Sequence, residues 1–192
     1  MVGKWAGKYG IFNLHSDLKK IVLTGPESVG KTVLAEKLAA HYNTVWVPEY
    51  AREYCDIHGN QHFTPLDFAH IAGGQLLLED QMAEKANGLL FCDTDLITTE
   101  IWAHYFLEKC PAWIQDINKT RHYDLYLLLS PDVPWVADNL RHFEDSRGEF
   151  FELLKNLLNK RGLHFETITG HFTERFLQAV YHIDMLLERK NT

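Results

Sequence analysis

An α/β fold, with a central parallel sheet of about five strands flanked by helices, is what this sequence predicts, on three observations. Short apolar runs alternate with amphipathic stretches along the chain, the pattern of a parallel sheet covered on both faces. A glycine-rich stretch, GPESVGKT, stands between the first apolar run and the first helix. The chain has 192 residues, 46 % apolar and 23 % charged, which suits one domain with a full core.

The elements follow in order. KIVLTG (20–25) is the first strand and runs into the glycine-rich loop. VGKTVLAEKLAAHY is a helix with Val33, Leu34, Leu38 and Ala39 expected inward. NTVWVPEY is a short strand stopped by Pro48, which has no N–H to offer a ladder. TPLDFAHIAGGQLLLEDQMAEKA is a long helix, with Thr64 as N-cap, Pro65 at the first helical position and Asp67 answering the cap. GLLFCD, bounded by Gly88 and Asp93, reads as a buried parallel strand. DLITTEIWAHYFLEK is helical, YDLYLLLS is a fourth strand, and RGEFFELLKNLLNKRG is a helix with Gly162 past its end. HFETITG is a fifth strand and FTERFLQAVYHIDMLLERK a closing helix. Residues 1–18 fit none of this and are expected to be an N-terminal arm, with residues 19–192 as the domain.

Composition excludes several classes. The formal net charge is −7, with no basic stripe, so a nucleic-acid partner is not expected. No apolar run reaches the roughly 20 residues that span a bilayer, and the N-terminus lacks a signal-peptide core. Three scattered cysteines, Cys55, Cys92 and Cys110, suit a reducing compartment, and a cytoplasmic location is expected.

GPESVGKT satisfies G-x-x-x-x-G-K-[ST], with a strand before it and a helix after it. Gly25, Pro26, Glu27, Ser28, Val29, Gly30, Lys31 and Thr32 are therefore candidates to hold the phosphates of ATP. The glycines let backbone N–H groups turn inward, and the helix N-terminus adds partial positive charge. Lys31 reaches the β- and γ-phosphates and the Thr32 hydroxyl is a ligand for Mg²⁺. The loop alone marks a P-loop NTPase fold, without deciding between hydrolysis, transfer and signalling.

Three further stretches bear on that choice. In VPEYARE, Glu49 stands at a strand's C-terminal edge, where ligands bind in open α/β sheets. A carboxylate there can take a proton from a hydroxyl, or simply start a helix. Arg52 follows at helical spacing. In FCDTDLITTEIW, Asp93 and Asp95 sit where the third strand ends. Asp93 is expected near the metal and Asp95 facing the substrate, with an N-cap as the alternative for Asp95. Residues from about 131 to 148 form a polar, proline-punctuated connection with Arg141 and Arg147. Such a lid can bring cations over a γ-phosphate and exclude water. Its Trp135 offers a face to a planar base. By contrast, Cys55, His58 and His62 in CDIHGNQH have metal-like spacing but no evident fourth ligand, and read as a polar loop near the pocket.

GPESVGKT, PEYAREY, DTDLITTEIW and YDLYLLLSPDVPWVADNLR together resemble the ribosylnicotinamide kinase domain of NadR-type NAD-salvage proteins, in the same order and over roughly residues 20–185. The resemblance implies a nucleoside-monophosphate-kinase-like fold and transfer of the γ-phosphate of ATP, with Mg²⁺, to the 5′-hydroxyl of nicotinamide riboside. It places ATP on Gly25 to Thr32, the riboside near Glu49, Tyr50, Arg52, Asp93 and Asp95, and Trp135, Asp138 and Arg141 in the lid. Asn139 stands where a glycine is expected. Longer relatives carry a DNA-binding segment and an adenylyltransferase domain before the kinase, and with about 20 residues there neither activity is expected. A deoxynucleoside or nucleoside monophosphate kinase and a P-loop regulatory ATPase are the competing readings. The oligomeric state is not legible.

Overall fold

The computed structural model describes residues 18–137 and 145–188. Five strands, β1 (Lys19–Thr24), β2 (Val45–Val47), β3 (Leu89–Asp93), β4 (Leu125–Leu129) and β5 (Phe165–Ile168), form one parallel sheet in the order β2-β3-β1-β4-β5. The helices are α1 (Lys31–His41), α2 (Tyr50–His58), α3 (Pro65–Ala83), α4 (Leu96–Leu107), α5 (Ala112–Thr120), α6 (Arg147–Lys160) and α7 (Phe172–Glu188).

The period-two alternation of β1 divides the core. Ile21 and Leu23 point to a layer made by α1 and α7, with Leu34, Leu38, Ala179 and Ile183. Val22 points to the opposite layer, against Ile97 and Ile101 of α4 and Leu154 and Leu158 of α6. A third cluster, with Phe68, Ala72, Leu96, Ala103, Cys110 and Ile114, joins α3, α4 and α5. On α1 the inward stripe is Leu34, Ala35, Leu38 and Ala39. Val33, expected inward, is 48 % exposed because it lies off that stripe.

Two helices differ from the expected reading. The helix start offered as the alternative for Glu49 is what the structure has, and the expected polar loop at Cys55 and His58 is helical: residues 50–58 form α2, which ends at Gly59. It buries one side chain, Tyr54, and docks on α3 through the Tyr54 hydroxyl, which donates to Asp67 at 2.5 Å. That bond is the first cause holding the Tyr54 hydroxyl up at about 12, while bonds from Thr64 hold Asp67 down at about 2. Thr64 and Asp67 close a reciprocal capping box at the start of α3, with Pro65 at its first position. Gly74 of α3 is needed because a Cβ there would lie 2.1 Å from the Tyr50 ring. Residues 112–120 form α5, anchored by Ile114 and by Asn118, whose amide donates to the buried Glu100 at 3.0 Å.

Register assembles the site. Leu23 is level with Asp93, and Val47 is level with Cys92. The chain leaves β1 into the glycine-rich loop, β3 into Thr94, and β2 into Pro48 and Glu49. All three departures therefore lie side by side on the C-terminal edge. The strand order also reverses around β1 there, which is where open α/β sheets bind ligands.

Candidate active site

The glycine-rich loop is fixed by its backbone. Gly25 has φ 144°, and a Cβ on it would meet the Leu129 carbonyl oxygen at 2.6 Å, so no other residue fits between β1 and β4. Gly30, with φ 83°, opens α1 as its N-cap. Lys31 Nζ folds over the loop and donates to the carbonyls of Gly25 at 3.1 Å and Pro26 at 2.8 Å. Phosphate oxygens can take the place of such acceptors with a charge-assisted bond. Val29 turns its side chain into the core, while Ser28 exchanges hydrogen bonds with the backbone of Val136.

Asp93 ends β3 with no exposed surface. Its Oδ2 accepts the Thr32 hydroxyl at 2.5 Å, and its Oδ1 is buried with no partner among the described residues. Burial, and next the charge of Glu49, push the Asp93 carboxyl above its ordinary value, against Lys31 and Thr32. An orphaned carboxylate oxygen beside a hydroxyl that follows the P-loop lysine is a donor set that fits Mg²⁺, directly or through water. Thr94, next in the chain, takes φ 69°, a left-handed conformation uncommon outside glycine, and donates its N–H to Leu23. Backbone strain beside Asp93 is held in place by the parallel ladder.

Glu49 occupies the N-cap position of α2 but makes no capping bond. Its Oε2 accepts from Arg52 Nε at 3.1 Å instead. Glu49, Arg52, Lys31, Gly25 and Glu27 line one end of a cleft. The other end is apolar and aromatic, built by Phe63 and Phe68 from around the start of α3, Trp102 and Phe106 on α4, and Phe150 on α6. Trp102 stacks on Phe150 with centroids 4.9 Å apart, and Phe63 meets Phe106 at 4.7 Å. Thr98, Thr99 and Gln75 also line the cleft. The Thr98 hydroxyl is buried with no partner among the described residues. Cys55 also lines the cleft, and burial pushes its thiol up to about 11, so it is not a thiolate nucleophile there.

Several expected residues stand elsewhere. Asp95 does not face the cleft. It is 1 % exposed, and caps α4 by accepting from Ile97 N at 3.1 Å and from the Tyr126 hydroxyl at 3.0 Å. The N-cap alternative describes it, because a carboxylate just before a helix finds orphan N–H groups nearer than any substrate. Tyr50 lays its ring on Gly74 of α3 rather than in the cleft. Trp135 lies under the Arg147 guanidinium, 5.4 Å from its ring centroid, and does not line the cleft. Arg147 itself donates to the Val133 carbonyl at 3.1 Å, so it braces the base of the connection instead of standing over the loop. Asp138 and Arg141 lie outside the described residues. His58 stacks on Tyr54 at 4.4 Å within α2. Trp102 packs on the third cluster and also forms a cleft wall. The signal for it was the i, i+4 spacing of Thr98, Trp102 and Phe106, one face of one helix.

A strand–loop–helix phosphate cradle with Lys31, Thr32 and Asp93 on a five-stranded parallel sheet defines a P-loop NTPase of the kinase type. A family model described as an AAA domain matches residues 20–175, and the chain belongs to that family. It is similar to the trifunctional NAD biosynthesis/regulator protein NadR of Escherichia coli (strain K12), with 32 % identity over 169 residues that cover 85 % of this chain and 41 % of that protein. A crystal structure of a NadR protein in complex with NR is 26 % identical, with a TM-score of 0.79 over 90 % of this chain and 52 % of that one. Thymidylate kinase from Ehrlichia chaffeensis shares the fold at 14 % identity, with a TM-score of 0.57 over 86 % of this chain and 98 % of that one. The chain thus spans about two fifths of the length of the curated relative it matches. No helix among the described residues is long and apolar enough to cross a membrane.

Proposed function

We propose that this chain is an ATP-dependent kinase that phosphorylates the 5′-hydroxyl of nicotinamide riboside. The observation that carries the reading is the cleft itself, which runs from the phosphate loop, past Glu49 and Arg52, into a pit walled by Phe63, Phe68, Trp102, Phe106 and Phe150. A pyridinium ring is flat and cationic, and aromatic faces attract it by about 0.5–2 kcal/mol beyond simple burial. The NadR protein solved with NR shares both sequence and fold with this chain, which supports the same acceptor class.

The chemistry follows from the geometry. Gly25 to Thr32 cradle the ATP phosphates, and Lys31 exchanges its loop carbonyls for phosphate oxygens. Thr32 and Asp93 would hold Mg²⁺, which neutralises charge on the β- and γ-phosphates. Asp93 is thereby committed to the metal and Asp95 to its helix cap, which leaves Glu49 as the base. Glu49 accepts the 5′-hydroxyl proton as that oxygen bonds to the γ-phosphorus and the bond to the bridging oxygen of ADP breaks. Arg52 pairs with Glu49 and fixes its direction. The Thr98 hydroxyl, without a partner among the described residues, would offer the ribose a hydrogen bond.

The test is an ADP-release assay with Mg²⁺ and ATP across nicotinamide riboside, uridine, cytidine, thymidine and deoxyadenosine at equal concentration. Nicotinamide riboside is expected to be phosphorylated far better than the rest. A neutral nucleoside or a nucleoside monophosphate proving the better acceptor would overturn the reading in favour of a nucleoside or nucleotide kinase.

A further inference from the structure

We propose that Arg175, seated by Asp132, is a positioning residue for ATP: it sets the direction of a phosphate-binding amide in the P-loop. The inference rests on the ATP half of the reading above and is independent of which acceptor is used.

Arg175 comes from the first turn of α7 and is only 2 % exposed. Its guanidinium donates to carbonyls on three separate segments. Nη1 reaches Val29 in the P-loop at 2.8 Å, Nη2 reaches Ser130 at the exit of β4 at 2.8 Å, and Nε reaches Gly170 in the turn before α7 at 2.7 Å. Nη2 also pairs with Asp132, whose second oxygen accepts from Gly170 N at 2.7 Å. A buried guanidinium is costly unless it is fully bonded. Holding α7 against the sheet requires only an apolar side chain. A rigid planar fork is what fixes three carbonyls at set spacing.

The carbonyl of Val29 is the informative one. In a trans peptide the C=O and the following N–H point in opposite directions. Drawing the Val29 oxygen toward buried Arg175 therefore turns the Gly30 N–H away from the core, toward the concave side of the loop where phosphates bind. Gly30, with φ 83° and no Cβ to collide with anything nearby, does not fix that peptide plane by itself. A second tether acts on the neighbouring residue: Ser28 Oγ accepts from Val136 N at 2.8 Å. Two consecutive loop residues are thus tied to the segment leaving β4, Ser28 directly and Val29 through Arg175. Neither Arg175 nor Asp132 lines the acceptor cleft, so the effect is confined to the donor side.

The experiment uses the full chain with Arg175→Lys and Asp132→Asn. ATP affinity is measured by titration calorimetry without acceptor, alongside KM for ATP, KM for nicotinamide riboside, kcat and melting temperature. Lysine keeps the charge and loses the fork, so the ATP Kd and KM should rise about tenfold, the size of a lost charge-assisted bond. The acceptor KM should stay within about twofold and kcat at saturating ATP within about threefold. Asp132 is at the exposed rim, so Asp132→Asn should keep the fold and shift ATP affinity in the same direction by less. A folded Arg175→Lys with unchanged ATP affinity and only a lower melting temperature would overturn the proposal, as would a parallel rise in both KM values. If Arg175→Lys does not fold, Asp132→Asn decides, and unchanged ATP binding there overturns it. Failure of nicotinamide riboside as an acceptor leaves the ATP titration interpretable.

Discussion

The two ends of the cleft are built in opposite ways. The phosphate end is local: eight consecutive residues, Gly25 to Thr32, supply the cradle, and the parallel ladder adds Asp93 and Glu49 from the neighbouring strand ends. The aromatic end is assembled from distant segments, with Phe63, Phe68, Trp102, Phe106 and Phe150 brought together by α3, α4 and α6. The phosphate end is polar and bonded, with Lys31, Thr32 and Asp93 already in hydrogen bonds, while the aromatic end is built on ring contacts and apolar packing. The difference teaches where each property is encoded. Group transfer depends on a few atoms at fixed spacing, whereas acceptor choice depends on tertiary packing that many sequences can achieve.

That contrast breaks first at Lys31. Lys31→Ala should leave a folded protein, since among the described residues its Nζ bonds the loop carbonyls of Gly25 and Pro26. It should lose about 10³-fold in kcat/KM, the scale of a missing electrostatic stabiliser of the transition state. Ordinary turnover in a folded Lys31→Ala would remove the phosphate end from the mechanism altogether.

The acids separate next. Glu49→Gln keeps shape and removes the proposed base, so kcat should fall by about 10²-fold with acceptor KM nearly unchanged. Asp93→Asn should show a comparable loss that high Mg²⁺ partly restores. Rescue of Glu49→Gln by Mg²⁺, and not of Asp93→Asn, would mean that the two roles are exchanged.

What was legible in the sequence follows the same division. The parallel five-stranded sheet, the capped start of α3 and the phosphate loop could be read because each is written in consecutive residues. Helix α2 could be read only in part: its start at Glu49 was an alternative and Arg52 stood at helical spacing, but with only Tyr54 buried its run through Cys55 and His58 had no apolar stripe to mark it. Helix α5 is short and anchored by Ile114 and Asn118 across to other helices. Asp95 was drawn toward the substrate by its place at a strand edge, yet the open N–H groups of α4 and the Tyr126 hydroxyl claim it. Trp135, expected to offer its face to a base, lies under Arg147 for a like reason, and Trp102 lines the cleft instead. A helix face can pack and line a cleft at once, and a tryptophan in a polar connection can be satisfied by an arginine.

The aromatic end is probed by comparing those two tryptophans. Trp102→Leu keeps bulk and removes the flat π face, so the KM for nicotinamide riboside should rise about tenfold, within the range of a cation–π contact. The KM for ATP should stay within about twofold. Trp135→Leu should move the acceptor KM much less, because its face is covered by Arg147. Equal effects from the two substitutions would erase the distinction between cleft wall and lid brace.

The smallest effect on turnover is expected at Asp95, where the change is in stability. Burial raises its carboxyl to about 7, against the opposing bonds from Tyr126 and the backbone. In the unfolded chain the group titrates near its ordinary value of 3.8. Between about pH 4 and pH 7 the folded protein therefore holds a proton that the unfolded chain has released. Folding stability contributed by this group must fall as pH rises through that window, and level off above it. Asp95→Asn removes the titration and keeps an oxygen for the Ile97 N–H, while the Tyr126 hydroxyl can turn to accept from the amide. Relative to wild type, the variant should gain stability steadily from pH 4 to pH 7 and end with a higher melting temperature, since each unit of pKa shift is worth about 1.4 kcal/mol. Its kcat/KM should stay within about threefold, because Asp95 touches neither end of the cleft. Parallel melting curves for the two proteins across that pH range would show that Asp95 is ionised in the fold. A loss of activity like that of Asp93→Asn would return Asp95 to the site.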